Sequence, residues 1–350
     1  MSGILTVARL EFRLRIRAGR WRWLVGAWFL VLAGVTWLVR NAAAQPNLVG
    51  PETQGPKTLG AVMFGVVVLV VLALALLVAP ALAAQSVNGD RERGTLATLQ
   101  VTRLRASEIA LGKLAASWGT ALVFLAVTLP LALWCYAEGG LSLVRVAGVY
   151  LVTALLLGVV CAISLGLSAL LARSTTSGVL AYLTVFALAV GTAILFALVT
   201  ETTQQKVTGI SRSCDESGSN CVDSSYQTTI ARPDRTWWLV APNPFAVLAD
   251  SAPAGPVNRI RLPNGDVVTE PASVDVLGGL SRELHKIRAR PAAQQDQYGT
   301  TYGVPDGTTG GPVWPLGLGI DLALAAAAIW VATIRLRTPT ARLARGQRIA

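Results

Sequence analysis

The residues that could carry chemistry are few, and they lie far apart in the sequence. The chain has four cysteines and one histidine among its 350 residues. Cys214 and Cys221 have the spacing C-x6-C, and a disulfide between them is expected if their segment faces an oxidising compartment. A zinc site would need two more soft ligands, and His285 lies far along the chain. Cys135 and Cys161 fall within apolar runs and are interpreted as small packing residues.

Asp321 is an acidic residue inside a long apolar run. A carboxylate at membrane depth is costly and often functional. It follows Trp314 by seven residues, so a satisfied structural aspartate near the outer membrane interface, or a slightly shifted span boundary, is an equally good interpretation. The sequence has no Ser/His/Asp set, no metal-ligand cluster and no nucleotide loop of the type G-x-x-x-x-G-K-[ST]. We therefore expect no catalytic residue, metal or cofactor in this chain.

The most informative segment, residues 85–113, connects two apolar runs. Its central part, 88–105, has a partly helical pattern with arginines opposite a short apolar face. The apolar face comprises Leu96, Leu99 and Leu104. Ser107 is placed to cap the helix that follows, with Glu108 in the first turn of that helix. A short amphipathic helix between two long spans is well built to bind a soluble partner.

Long uncharged runs must position this segment. Hydrophobic residues make up 53% of the chain and charged residues 14%, against roughly 25% charged residues in soluble domains. Several runs exceed the roughly 20 residues that cross a bilayer. The predicted spans are 23–39, 59–84, 114–136, 146–172, 178–200 and 314–334. They predict an all-α integral membrane protein with six transmembrane helices.

The net charge of +11 follows the expected topology and does not form a nucleic-acid-binding patch. With the amino terminus inside, 17 of the 30 lysines and arginines lie in the inside segments, which carry only four acids. Basic residues in short loops stay on the cytoplasmic side. We expect a multi-pass protein of the cytoplasmic membrane with both termini cytoplasmic. Membrane lipids are then its neighbours, and no nucleic-acid partner is expected.

The chain divides into four parts. These are an amphipathic interfacial helix at 1–20, transmembrane spans one to five with the cytoplasmic loop 85–113 at 21–200, a large extracytoplasmic loop or small domain at 201–313, and the sixth span with a basic cytoplasmic tail at 314–350. Four arginines of the first part, Arg9, Arg13, Arg17 and Arg20, fall in one sector of a helix, as in helices that lie in the headgroup plane. Glu11 and Arg15 interrupt the apolar remainder. An ordinary basic flank of the first span is the alternative.

Two smaller features belong to the extracytoplasmic parts. The stretch 257–268 predicts a hairpin around an Asn-Gly turn. The tryptophan-rich run 237–248 contains two prolines and suits an interfacial or re-entrant segment. Glu138 and Arg145 flank a short link and are interpreted as a solvated pair.

Residues 92–113 carry a pattern that resembles the coupling-helix region of permease subunits of type-2 ABC exporters. The pattern is E-R/K-G-T-L-x-x-L, then Thr or Ser, then Glu-Ile and Gly-Lys before an apolar span. The matching residues are Glu92, Arg93, Gly94, Thr95, Leu96, Leu99, Thr102, Glu108, Ile109, Gly112 and Lys113. Ala97 and Arg103 depart from the pattern, because an acid and a proline are common at these positions.

The resemblance implies a permease that works as a pair of transmembrane subunits, identical or different, with a pair of cytoplasmic ATPase subunits. ATP and Mg²⁺ would be bound by the ATPase, and the coupling helix would convey its closure to the spans. The chain alone is not expected to hydrolyse ATP. The exported substrate would be lipid-like or drug-like. Two alternatives are a membrane-anchored sensor or scaffold, whose loop 201–313 binds a ligand or partner, and a membrane-embedded enzyme.

Overall fold

The structure is a computed structural model. It describes residues 3–17, 20–43, 59–92, 94, 105–214, 221–253, 255, 257–261, 267–271, 275–295, 301–305 and 310–337.

Helices dominate the described residues. They are α1 (Gly3–Arg17), α2 (Arg20–Ala43), α3 (Leu59–Ala83), α4 (Asn88–Glu92), α5 (Ala106–Val127), α6 (Leu129–Ala137), α7 (Leu143–Leu170), α8 (Ser174–Phe186), α9 (Thr192–Thr202), α10 (Pro244–Ser251), α11 (Val276–Arg288) and α12 (Trp314–Arg335). A π-turn, Ala187–Gly191, joins α8 to α9, and short 3-10 turns cover Pro233–Arg235 and Trp237–Leu239.

Six helical stretches are long and apolar enough to cross a membrane. They are Arg22–Ala43, Leu59–Glu92, Ala106–Ala137, Leu143–Leu170, Ser174–Thr202 and Trp314–Arg335. Each overlaps its predicted range, so the six-span prediction is confirmed.

Three antiparallel hairpins lie between the fifth and sixth spans. They pair β1 (Gln205–Cys214) with β2 (Cys221–Ile230), β3 (Val257–Arg261) with β4 (Val267–Pro271), and β5 (Pro291–Gln295) with β6 (Thr301–Pro305). The hairpin predicted over 257–268 is confirmed, although its turn at 262–266 lies outside the described residues. The prediction of a mainly helical chain is therefore confirmed. The prediction that it is all-α is wrong, because the segment 201–313 contains six strands among the described residues.

The chain forms two compact units. The first comprises Met1–Ala187, Ala252–Gly278 and Gly319–Ala350, and the second comprises Leu188–Ser251 and Gly279–Leu318.

The central helix of the first unit is α3. Its sequence has no charged residue and is apolar on every side, as is typical of a helix surrounded by other helices. It packs against α2, α5, α6, α7 and α8. This arrangement places the end of α3, where the loop 85–113 begins, inside the bundle of spans.

The sixth span joins the first unit through small residues. A Cβ added to Gly166 of α7 would lie 2.8 Å from the Cβ of Ala328, so only glycine permits this approach. Ala332 of α12 is fully buried with Leu165 and Ala169 of α7. Close backbone approach through small residues is the usual way in which membrane helices pack.

In the second unit, the tryptophan-rich segment lies beside the fifth span. Asn243 donates from Nδ2 to the carbonyl of Ala189, at 2.8 Å, and to Oγ1 of Thr192, at 3.0 Å. Its Oδ1 accepts from the backbone N–H of Phe245 at 2.9 Å and so caps α10. Since Ala189 belongs to the π-turn within a candidate span, this contact favours the re-entrant interpretation of residues 237–248.

Candidate functional site

The loop 85–113 is described at its two ends. Of the residues predicted to contact a partner, Glu92, Gly94 and Glu108 are described. Arg93, Thr95, Leu96, Leu99 and Thr102 lie outside the described residues. A short helix, α4, begins at Asn88 but ends at Glu92, and Gly94 has a left-handed φ of 70°. The prediction of one helix over 88–105 is therefore wrong at this point, and residues 95–104 lie outside the described residues.

The chain leaving the second span lies against the link between the fourth and fifth spans. The backbone N–H groups of Val87 and Asn88 both donate to Oγ of Ser168, each at 3.2 Å. Oγ of Ser177 donates to the carbonyl of Ala84 at 2.8 Å. Short polar side chains of α7 and α8 thus pair with a carbonyl that follows the end of α3 and with N–H groups at the start of α4, where the helices offer no partner.

Arg91 and Glu92 extend this contact to the link itself. Arg91 donates from Nη1 to the carbonyl of Leu171 at 3.1 Å, and Oε1 of Glu92 accepts from the backbone N–H of Ser174 at 3.1 Å. Ser174 is the first residue of α8, where backbone N–H groups have no partner within the helix. A carboxylate at this position also complements the positive end of the helix dipole. Glu92 therefore ties the loop to the start of the fifth span.

At the other end of the loop, Glu108 stabilises the start of α5. Its Oε2 accepts from the backbone N–H of Arg105 at 2.8 Å, which is the carboxylate half of a capping box. The predicted cap at Ser107 is wrong, because Arg105 is the N-cap residue and the helix begins at Ala106, so Ser107 is already its second residue.

Lys113 lies at the centre of these contacts. Its side chain is 0% exposed, and its Nζ donates to Oε1 of Glu11 at 2.7 Å and to the carbonyl of Ser86 at 2.9 Å. It also pairs with the carboxylate of Asp90. One ammonium group thus joins α1, the end of the second span, α4 and the third span.

The amino-terminal helix α1 packs along α5. Val7 of α1 is buried, and a Cβ added to Gly112 would lie 2.6 Å from the Cβ of Val7. Arg9 and Arg13 are exposed on the outer side of α1, as the predicted basic sector requires. Glu11, which interrupts the apolar face of this helix in the sequence, is explained by its bond to Lys113.

The interpretation of Glu138 and Arg145 as a pair is wrong. Both oxygens of Asp275 accept from Nη2 of Arg145, at 2.6 and 2.8 Å, and the two side chains are 2% and 3% exposed. Glu138 instead accepts from Nε of Arg40 at 2.7 Å. That hydrogen bond, helped by one from Trp134, holds the pKa of Glu138 below its usual value.

The sequence did not predict a role for Asp250. The only signal was an acidic residue at the end of an apolar run. Its Oδ2 accepts from the backbone N–H groups of Val313, at 2.6 Å, and Trp314, at 2.9 Å. Its Oδ1 accepts from Oγ of Ser281 at 2.9 Å and lies 2.7 Å from Nε2 of His285. The carboxylate therefore caps the sixth span, and His285 is a neighbour of a buried acid rather than an isolated surface residue.

Cys214 and Cys221 face each other across the β1–β2 ladder, where they are Cα partners in the antiparallel register. Opposite residues in such a ladder have Cα atoms about 4.5–5.5 Å apart, which falls within the range of about 4.4–6.8 Å that a disulfide bridges.

We expect a Cys214–Cys221 disulfide in protein purified without reductant. Mass spectrometry of alkylated peptides should find the pair linked, while Cys135, which is buried and free, should be alkylated only after unfolding. The control is the same digest after reduction, in which both cysteines become alkylated. Free thiols at both positions in freshly purified protein would contradict the prediction.

Asp321 is buried in the sixth span. Its side chain is 2% exposed, and its Oδ1 has no hydrogen-bond partner among the described residues. Within the described part of the chain, no group of three or more His, Cys, Asp or Glu side chains could hold a metal ion.

Six apolar spans, with a loop held at both ends by polar contacts, are the features of a multi-span membrane protein. Residues 5–231 match the family described as ABC-2 family transporter protein, and the chain belongs to this family. A comparison with curated proteins finds no match. The chain is therefore the transmembrane permease subunit of a transporter that works with an ABC ATPase. The matched residues include the loop 85–113 and the first five spans.

Proposed function

We propose that this permease exports its substrate across the cytoplasmic membrane, driven by a separate ATPase that docks on the loop segment 88–105. The observation that carries the proposal is the anchoring of this loop. Glu92 connects one end to the fifth span, and Lys113 connects the other end to α1 and to the end of the second span.

The chemistry of these anchors supports transmission of force. Lys113 is fully covered and shares its charge with two carboxylates, and such contacts are stronger away from water than on a surface. Separating them would leave buried charges without partners, at a large cost in free energy. The segments they join are therefore expected to move together when a partner displaces the loop.

The remaining parts of the proposal follow from the sequence. The partner ATPase binds ATP and Mg²⁺, since this chain has no P-loop pattern. Basic residues concentrated in the inside segments favour cytoplasmic termini. Two permease subunits, identical or different, would pair with two ATPases. Exposed apolar side chains on the spans suit a lipid-like or drug-like substrate.

The proposal is tested by replacing residues 92–104 with a Gly/Ser linker of the same length. The permease is co-purified with the ATPase encoded beside it, and both ATPase association and substrate-stimulated ATP hydrolysis are measured. We expect the replacement to abolish both, because truncating a central apolar anchor of an interface costs about 2 kcal/mol or more, and this change removes all three leucines of the apolar face, Leu96, Leu99 and Leu104. The single substitution Leu99→Ala should weaken association in the same direction.

The control replaces residues 262–266, which connect β3 to β4, with a Gly/Ser linker of the same length. This variant should bind and stimulate the ATPase as the native chain does. Normal association after replacement of 92–104 would show that the loop is not the docking element. If the native chain binds no ATPase either, the exporter proposal fails and the sensor interpretation replaces it.

A further inference from the structure

Asp321 differs from the other described acids in the spans. Asp90, Glu92, Glu108 and Glu201 lie within two residues of an end of their spans, and each accepts a hydrogen bond or pairs with a cation. Asp321 follows the start of its span by seven residues. Its Oδ1 is buried and has no hydrogen-bond partner among the described residues.

The chain itself covers this carboxylate. Asp321 lies on the same stripe of α12 as Ala325, Ala328 and Ala332, at helical spacings of four, three and four residues. Ala328 approaches Gly166 of the fourth span, so the stripe is the protein-facing side of the helix. Since the side chain is 2% exposed, neither a lipid headgroup nor a second copy of the chain reaches it in this conformation.

An ionised carboxylate without a partner is very costly at membrane depth. It must therefore hold a proton or meet a cation during the working cycle. A metal ion requires several oxygen ligands, and no suitable cluster occurs among the described residues. An organic cation with apolar substituents requires only one opposite charge and apolar walls, which the alanine-rich stripe offers.

We propose that Asp321 binds the positive group of a lipophilic organic cation, which enters when the sixth span separates from the fourth. This proposal rests on the transport function proposed above, because the carboxylate is covered until the spans move. It specifies the substrate class of the exporter as amphiphilic molecules with one positive charge. Neutral molecules of the same shape would gain nothing from the carboxylate.

The test uses the full chain in lipid nanodiscs and tetraphenylphosphonium as the probe, with binding measured by equilibrium dialysis. Asp321→Asn keeps the size of the side chain but removes its charge, and Asp321→Glu keeps the charge. We expect Asp321→Asn to weaken tetraphenylphosphonium binding by at least about tenfold, since a close charge pair is strong in a medium of low dielectric. Asp321→Glu should restore much of the affinity.

Triphenylphosphine oxide, a neutral molecule of similar shape, is the matched control and should bind the native chain and Asp321→Asn equally. Tetraphenylphosphonium binding that is the same in both, or undetectable in the native chain, would overturn the proposal. Displacement of the probe by Na⁺ or Mg²⁺ at constant ionic strength would also overturn it, because the site would then belong to an inorganic cation. ATPase association measured on the same preparations tests the exporter proposal separately.

Discussion

Replacing Lys113 with methionine is expected to destabilise the first unit by about 3–5 kcal/mol, the usual cost of removing one partner from a buried ionic group. Methionine keeps much of the length of the lysine side chain but leaves Glu11 and Asp90 without this cation. Their side chains are only 19% and 13% exposed, so water cannot fully replace it. Thermal unfolding of the purified variant should show the loss.

The control for Lys113→Met separates broken charge pairing from lost packing. Adding Glu11→Gln and Asp90→Asn removes the stranded charges while keeping the shapes. A buried ion pair that is replaced as a whole often costs little, so the triple variant should recover most of the stability. It should still couple poorly to the ATPase, because the connection between α1 and the loop would be weaker. Native unfolding behaviour of Lys113→Met would contradict the role assigned to Lys113.

The second large effect is expected for Arg145→Met, again about 3–5 kcal/mol of destabilisation. The change strands the carboxylate of Asp275, which is 3% exposed, whereas Arg145→Met combined with Asp275→Leu should be much closer to the native stability. The unfolding temperatures of the native chain and of both variants are measured in one detergent and compared.

Arg40→Gln is the comparison for Arg145→Met. Arg40 pairs with Glu138 close to the same link, but its side chain is 41% exposed, and pairs of that kind contribute about 0–1 kcal/mol. The shift in unfolding temperature should therefore be several times smaller for Arg40→Gln. Equal shifts in unfolding temperature would show that burial does not determine how much Arg145 contributes to stability.

The spans could be predicted because their signal is local. A run of apolar residues longer than the bilayer core leaves few alternatives, and the charged residues at its ends mark the boundaries. The partners of the charged residues could not be predicted in the same way. Lys113 and Glu11 are 102 residues apart, and the sequence gives no reason to pair Lys113 with an acid that interrupts a basic helix.

The outer segment shows the same limit for strands. The β3–β4 hairpin was predicted from the Asn-Gly pair at the centre of residues 257–268. The β1–β2 hairpin was missed, because Gln205–Cys214 and Cys221–Ile230 are rich in serine, threonine and glutamine and lack a clear apolar alternation. Their pairing comes from contact between two polar strands, which composition alone assigned to surface loops.

The pairing of Arg145 with Asp275 also sets an order of events during synthesis of the protein. The two residues are 130 positions apart, and ribosomes add about 5–20 residues per second, so the arginine is made roughly 6–26 seconds before its partner. Arg145 lies in the first turn of α7, and the flexible stem of an arginine near the end of a span can keep its charged group in a polar environment until then. The buried ion pair of Arg145 can therefore form only after Asp275 has been synthesised.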